Sequence, residues 1–495
     1  MLPIISSKKY NTLWFCFLFL IGFIAYWNGL TIPYYGDDCK YIFNPIPQSI
    51  FYFFTHPSPN PDFFRPLELV FHIFFQSHFG LNTIPLHLLQ LLFHILLAFV
   101  LYLAAIKLEF TTLQAMFSSL IMLVSQTNVF TVSSGDTLSQ GAGTLFGCLC
   151  LWYFYRALTT QNLLHYYASI LFLLITLFFK ETNISYLPAI FVIHLYHNFL
   201  SKSNSYQVSN IIKKMLPFIL VCGFYFLVRA QFVSGHFEER YALQFGFGVL
   251  KNIALSLLSI TLPFSSVTFV SAFKQGNSIL VFTFLLFTIA FLLFVFIGLQ
   301  RSQHKRFIIL FSILGFINLF PPALIKNTSE LYVYNAMPFF SLIIGIGIGT
   351  LLEKIQREKF VVSLYALFLV VIITSHIFAV QQKVSLMKKN GERADVILHQ
   401  ITPFISNMQH GGNLFLLNPP KPKIEYSIFL IRGFNVLGLN RIYHLSKRND
   451  FFMKVLEQPE FNHYKNIEKS FFLTLNADNQ VVPVFQDSLV RPEKK

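Results

Sequence analysis

Two adjacent carboxylates, Asp37 and Asp38, stand just after the first long apolar stretch, in the run Pro33-Tyr34-Tyr35-Gly36-Asp37-Asp38-Cys39-Lys40-Tyr41-Ile42. A carboxylate among aromatic neighbours such as Tyr34, Tyr35 and Phe43, with a second carboxylate beside it, has its pKa raised and suits general-base work on a hydroxyl. The same residues could instead cap a short helix. Further on, Phe63-Phe64-Arg65-Pro66-Leu67 sets an arginine at the start of a helix, with Pro66 in its first turn. The Arg65 fork could hold a phosphate bidentately, or the residue could simply lie at a membrane interface. Lys180-Glu181, followed by Thr182 and Asn183, falls where an apolar stretch ends. Lys180 could neutralise a leaving phosphate there, and Glu181 could line the same polar cavity. Glu330, Tyr332 and Tyr334 precede another apolar stretch, where aromatic residues also gather without any function. His56 lies between Asp38 and Arg65 in the chain and is a candidate for substrate or phosphate contact.

The elements that must position these residues are membrane spans. The chain has 495 residues, 54% of them hydrophobic and 12% charged, with a mean hydropathy of +0.57. Soluble domains carry about 25% charged residues, and about 20 apolar residues cross a bilayer. Spans are expected near 12–29, 84–106, 113–132, 139–158, 164–180, 183–200, 213–231, 279–299, 306–325, 332–352 and 360–380. They read as helices, because backbone groups in lipid must bond within their own segment. Lys8 and Lys9 before the first stretch, with no small-residue cleavage site after it, read as an uncleaved anchor.

Lys107, Arg156, Lys202, Lys213, Lys214, Arg301, Lys305, Arg306, Lys354, Arg357 and Lys359 fall on one side if the stretch 245–278 crosses zero or two times. A helix pair or surface-lying segment is expected there, giving about 11 to 13 spans. The loop 30–83, the loop Ser133–Ser139, the junction 180–183, the loop 229–248 and the loop 321–331 then share the extracytoplasmic face. The architecture divides into a transmembrane domain, 1–382, with its active site in the first loop, and an extracytoplasmic domain, 383–495. In the latter, 412–418 and 471–475 read as strands and 426–434 as a short helix or strand, a small α/β domain.

Other classes find less support. The net charge of +15 is spread through short loops, which fits membrane orientation better than nucleic-acid binding. Of the five cysteines, Cys16, Cys148, Cys150 and Cys222 lie in apolar segments and Cys39 near the surface, with no disulfide or metal spacing. His87 and His94, and His194 and His197, read as packing residues, and Arg240 with Glu238 and Glu239 as a surface group. No metal site is assigned, and the one cofactor the sequence leaves open is a divalent cation. Asp37 and Asp38 could help bind a divalent cation, but hard cations want more oxygen ligands than the sequence locates. There is no Gly-rich phosphate loop and no nucleophile elbow.

The order of these motifs resembles the GT-C-type integral membrane glycosyltransferases, including protein O-mannosyltransferase-like and aminoarabinose transferase-like members. The resemblance rests on Asp37-Asp38, Phe64-Arg65-Pro66-Leu67, Phe79-Gly80-Leu81-Asn82 with Leu86-His87 and His94, Lys180-Glu181-Thr182, and Glu330-Leu331-Tyr332-Val333-Tyr334, and covers most of 12–380. It departs at Leu331, where such enzymes often have arginine, and at Gln90, where asparagine is common. It implies a polyprenyl-phosphate sugar donor, Asp37 or Asp38 as base, and Arg65 and Lys180 as phosphate partners. The expected reaction is inverting transfer to an acceptor hydroxyl of a protein, lipid or glycan, in a multi-pass protein of the bacterial inner membrane. Alternatives are a lipid-linked glycan polymerase or ligase, a transporter, and a non-catalytic scaffold.

Overall fold

The computed structural model describes residues 8–34, 36–43, 45–58, 63–200, 208–233, 242–326, 329–354, 359–417, 445–448, 450–456, 460–464, 467–476 and 480–484. The readings made for Tyr35, Lys202, Glu238, Glu239, Arg240, Arg357 and 426–434 lie outside the described residues. Fifteen α-helices of five residues or more follow in chain order among those described. They are α1 (Lys8–Tyr26), α2 (Pro66–Phe79), α3 (Ile84–Lys107), α4 (Thr112–Val124), α5 (Val129–Ser133), α6 (Leu138–Thr160), α7 (Leu163–Phe179) and α8 (Tyr186–Leu200). Then come α9 (Val208–Phe232), α10 (Phe247–Thr261), α11 (Ser266–Lys274), α12 (Ser278–Arg301), α13 (Lys305–Ala323), α14 (Met337–Lys354) and α15 (Lys359–Ser406).

The protein is an all-helical polytopic membrane fold with a small C-terminal sheet, as the hydropathy pattern leads one to expect. Among the described residues, seven helices are long and apolar enough to cross a membrane, or nine if each of two bent pairs forms one span. The helices α6, α7 and α8 coincide with three further expected spans. However, α6 is rich in Ser, Gly, Gln and Thr, and α7 and α8 are 17 and 15 residues long. One bent pair, α10 with α11, turns by 120°. This is the helix pair expected in 245–278, and Ser265 caps its second half by accepting from the Thr268 N–H.

Local signals start and stop these helices. Thr111 and Gln114 form a capping box at α4. Asn162 and Asn277 cap α7 and α12. Pro66 opens α2 and Pro338 lies at the second residue of α14, both in first turns that need no N–H donor there.

Helix packing relies on missing side chains. A Cβ on Gly345 would collide with the backbone of Ser118, and one on Gly349 with that of Gln114. On another face of α14, Gly347 and Gly298 of α12 meet backbone to backbone. Without a hydrophobic force between helices in lipid, such close approach supplies the dispersion contact. Gln114 Nε2 then donates to Thr350 Oγ1 at 2.9 Å across the same interface.

The chain forms two compact units. The first comprises Met1–Trp27, Phe53–Val70 and His87–Val384. The second comprises Asn28–Tyr52, Phe71–Leu86 and Ser385–Lys495, so the long first loop contributes to both. In the second unit a four-stranded sheet, β1 (Asn413–Leu417), β2 (Phe452–Leu456), β3 (Ser470–Leu475) and β4 (Val481–Pro483), has the order β2-β1-β3-β4. Here β1 runs parallel to β2 and β3, and β4 is antiparallel to β3. Phe415, Leu417, Leu456 and Phe472 form its core. Arg448 Nη1 donates to the Ile405 and Met408 carbonyls at 2.6 and 2.7 Å, satisfying the end of α15.

Candidate active site

The first unit gathers charge where α2 begins and α7 ends. Arg65, just before Pro66, donates through Nε and Nη2 to both oxygens of Glu181 at 3.0 and 2.7 Å. Its Nη1 lies 3.8 Å from Glu68 Oε2, one turn along α2. Glu68, wholly buried, also accepts from the Ser139 backbone N–H at 3.2 Å, at the start of α6. The Arg65 fork, expected from the sequence to hold a phosphate, is thus filled by Glu181. The planar guanidinium fork matches the two carboxylate oxygens, so this chain-distant pair is bidentate.

Lys180 lies one residue beyond α7 and is buried. Its ammonium sits 5.4 Å from the ring centroid of Tyr332 and makes no hydrogen bond or ion pair among the described residues. Burial first, and then the Arg65 guanidinium, bring its pKa down to about 7, against the upward pull of Glu181, Glu68 and Asp136. Glu181 behaves oppositely. Burial would raise its pKa, but the charge and hydrogen bonds of Arg65 prevail and hold the carboxyl at about 2.

A neutral network fixes the turn that carries Lys180 and Glu181. Asn335 Oδ1 accepts from Gln140 Nε2 and from Thr144 Oγ1, the latter at 2.5 Å. Asn335 Nδ2 donates to Asn183 Oδ1 at 2.8 Å, and Asn183 Nδ2 donates to the Thr176 carbonyl at 2.9 Å. Gly143 permits this, since a Cβ there would occupy the Asn183 amide. The helix α3 contributes a polar face. Gln90 Nε2 donates to the Ser134 carbonyl at 2.6 Å, with His87 against its oxygen at 3.0 Å. His94 Nε2 donates to the Leu123 carbonyl at 3.0 Å, leaving Nδ1 to accept from the Tyr334 hydroxyl at 2.8 Å. The histidines of α3 are therefore packing and positioning residues.

Glu330 and Tyr332 share a single 3₁₀ turn, Glu330–Val333, capped by Ser329, whose Oγ accepts from the Leu331 N–H. Glu330 is not part of the Arg65 cluster. Its Oε2 pairs with Lys383 Nζ at 2.7 Å. His56 is exposed in the first unit, 2.9 Å from Thr55 Oγ1.

Asp37 and Asp38 belong to the second unit, inside a 3₁₀ helix, Gly36–Tyr41. Gly36 enters it with φ +58°, a conformation that favours glycine. Asp38 is buried and Asp37 half-buried. Cys39, expected near the surface, is fully buried, because the tight 3₁₀ turn carries it inward beside Asp38. Two residues of α2, one turn apart, hold the segment. His72 stacks on Tyr41 with centroids 4.0 Å apart and planes within 5°. Gln76 accepts from the Phe43 N–H at 2.8 Å and donates to the Phe43 carbonyl at 2.9 Å.

Sequence reasoning passed over Glu68, His72, Gln76 and Lys383. The available signal was polarity at apolar positions: Glu68, His72 and Gln76 recur at i, i+4 and i+8 along a helix whose other residues up to Gln76 are apolar. Among the described residues, no group of three or more His, Cys, Asp or Glu side chains could hold a metal ion.

This arrangement sits on a fold shared with solved membrane-protein structures at low sequence identity. No family model matches the chain, and no curated protein matches it by sequence. Among solved structures it is similar to ArnT from Cupriavidus metallidurans in the apo state, with a TM-score of 0.54 and 12% identity over 99% of this chain and 100% of that one. It is similar as well to the same ArnT bound to undecaprenyl phosphate, with a TM-score of 0.51 and 11% identity over the same shares of both chains.

Proposed function

We propose that this protein transfers a sugar from a polyprenyl-phosphate donor to an acceptor hydroxyl, with inversion, at the extracytoplasmic face of a bacterial inner membrane. The observation that carries this reading is Lys180. A buried ammonium facing Tyr332, with no ion pair among the described residues, is a cation held ready for an anion. A solved ArnT of the same fold has undecaprenyl phosphate bound, and such a lipid phosphate is the anion that a membrane-embedded rim would receive.

The chemistry follows from these groups. Asp37 or Asp38 accepts the proton of the acceptor hydroxyl as its oxygen attacks the anomeric carbon. The bond from that carbon to the phosphate oxygen breaks on the opposite side, and polyprenyl phosphate leaves with the electron pair. Lys180 stabilises the charge that develops on it. Arg65, already committed to Glu181, supports the turn that presents Lys180 and adds positive potential. A divalent cation at Asp37 and Asp38 would need further oxygens from substrate or water, because those described in the protein do not make a full cage, and no step is assigned to it.

The test is sugar transfer in membranes from a panel of radiolabelled polyprenyl-phosphate hexoses and pentoses. Wild type, Asp37→Asn, Asp38→Asn and Lys180→Gln are compared at matched expression. Transfer by wild type, abolished in one Asn variant and strongly reduced in Lys180→Gln, supports the reading. Transfer unchanged in both Asn variants removes the assigned base.

A further inference from the structure

Lys383 is a wholly buried lysine in the middle of a 48-residue helix, and nothing in the reaction above uses it. Placing an ammonium there is costly unless oxygens surround it. Three do. Nζ donates to Glu330 Oε2 at 2.7 Å and to the Gln126 carbonyl at 3.2 Å, and it also meets Gln126 Oε1. Gln126 is itself fixed, since its Nε2 donates to the Ser259 carbonyl at 3.1 Å and its N–H faces His376 Nδ1 at 3.4 Å. One lysine therefore ties α15 to two 3₁₀ turns, Gln126–Asn128 and Glu330–Val333.

The Glu330 carboxylate is only half committed. Oε2 belongs to Lys383, while Oε1 is buried and has no hydrogen-bond partner among the described residues. A buried carboxylate oxygen calls for a donor. A phosphate cannot serve, being an acceptor of the same charge sign. Two residues along the same turn, the Tyr332 ring faces the Lys180 ammonium. The group joined to a phosphate held there, and rich in hydroxyl donors, is the sugar.

We infer that Lys383 is a positioning residue that locks one oxygen of Glu330 and leaves the other to accept a hydrogen bond from a hydroxyl of the donor sugar. This rests on the polyprenyl-phosphate reading above and deepens it, giving that donor a sugar contact distinct from its phosphate contact. Lys383 touches no substrate; it acts through Glu330.

The experiment measures equilibrium binding to full-length protein in nanodiscs. The probes are undecaprenyl phosphate and a panel of its hexosyl and pentosyl phosphodiesters. Wild type is expected to bind at least one phosphodiester more tightly than the bare lipid phosphate. Glu330→Gln and Lys383→Met should each weaken that phosphodiester about ten- to hundred-fold, the scale of a hydrogen bond to a charged group, with bare phosphate little changed. The double variant should lose no more than either single one. A charge-exchanged protein, Glu330→Lys with Lys383→Glu, keeps an ion pair across the same elements but puts an ammonium where the acceptor stood. It should bind bare lipid phosphate and lose the preference for the sugar form, which guards against Lys383→Met failing to fold. Equal weakening of both probes in the variants, additive losses, or a charge-exchanged protein that keeps the preference would overturn the inference. Wild type that binds bare lipid phosphate without preferring any sugar form overturns it alone. Wild type that binds no lipid phosphate overturns the donor reading as well.

Discussion

A lysine buried at the rim of a membrane bundle gives up its proton more readily than one in water, and Lys180 is brought to about 7 by burial and by Arg65. Its pKa is lowered, so its charge is present below pH 7 and lost as pH rises through that value. A donor phosphodiester carries one fixed charge over this range. Its affinity should therefore fall as pH rises from about 6 to 9, with a midpoint displaced upward because the bound phosphate favours the ammonium. Titration of binding checks this, and Lys180→Gln should give a weak, flat profile. Glu181 stays ionised throughout, since Arg65 holds it at about 2. Removing Arg65 strands that carboxylate in a buried site, so Arg65→Met should destabilise the protein by about 3–5 kcal/mol, read as a lower denaturation midpoint. Removing both partners, Arg65→Met with Glu181→Gln, should cost less than Arg65→Met alone.

At the scale of elements, α2 is the clamp on the carboxylate segment. Gln76 satisfies both backbone groups of Phe43, and Gln76→Leu leaves them buried without that partner. Because small displacements of a reacting group are expensive, kcat should drop about ten- to hundred-fold with little change in donor KM. Steady-state kinetics separates this from loss of donor binding, which should instead mark Lys180 variants. The glycine face of α14 is a second element-level device. Gly347→Val cannot be accommodated against the Val295 carbonyl of α12 without parting α12 from α14. It should lower the thermal midpoint in detergent well beyond the change produced by an exposed substitution such as Phe360→Ala.

At the scale of the whole molecule, the first loop and the α12–α13 connection should lie on opposite sides of the membrane. In a background where the exposed Cys16 is replaced, His56→Cys should react with an impermeant maleimide from outside intact cells, and Arg301→Cys only after permeabilisation. Labelling of both from one side would overturn the assigned topology. The helical stretches, the helix pair near 245–278 and the strands β1 and β3 of the C-terminal sheet could all be named from one sequence. Hydropathy, caps and turn residues act over a few neighbours and leave a local trace. The sequence by itself thus determined a helical membrane protein with ionisable residues concentrated at a few junctions. Only the tertiary structure decided which charges meet. It gave the Arg65 fork to Glu181 across 116 positions, left Lys180 facing Tyr332, and drew Lys383 to Glu330. Such choices depend on which oppositely charged groups are desolvated together when helices pack, a property of the folded whole that no short stretch of sequence carries.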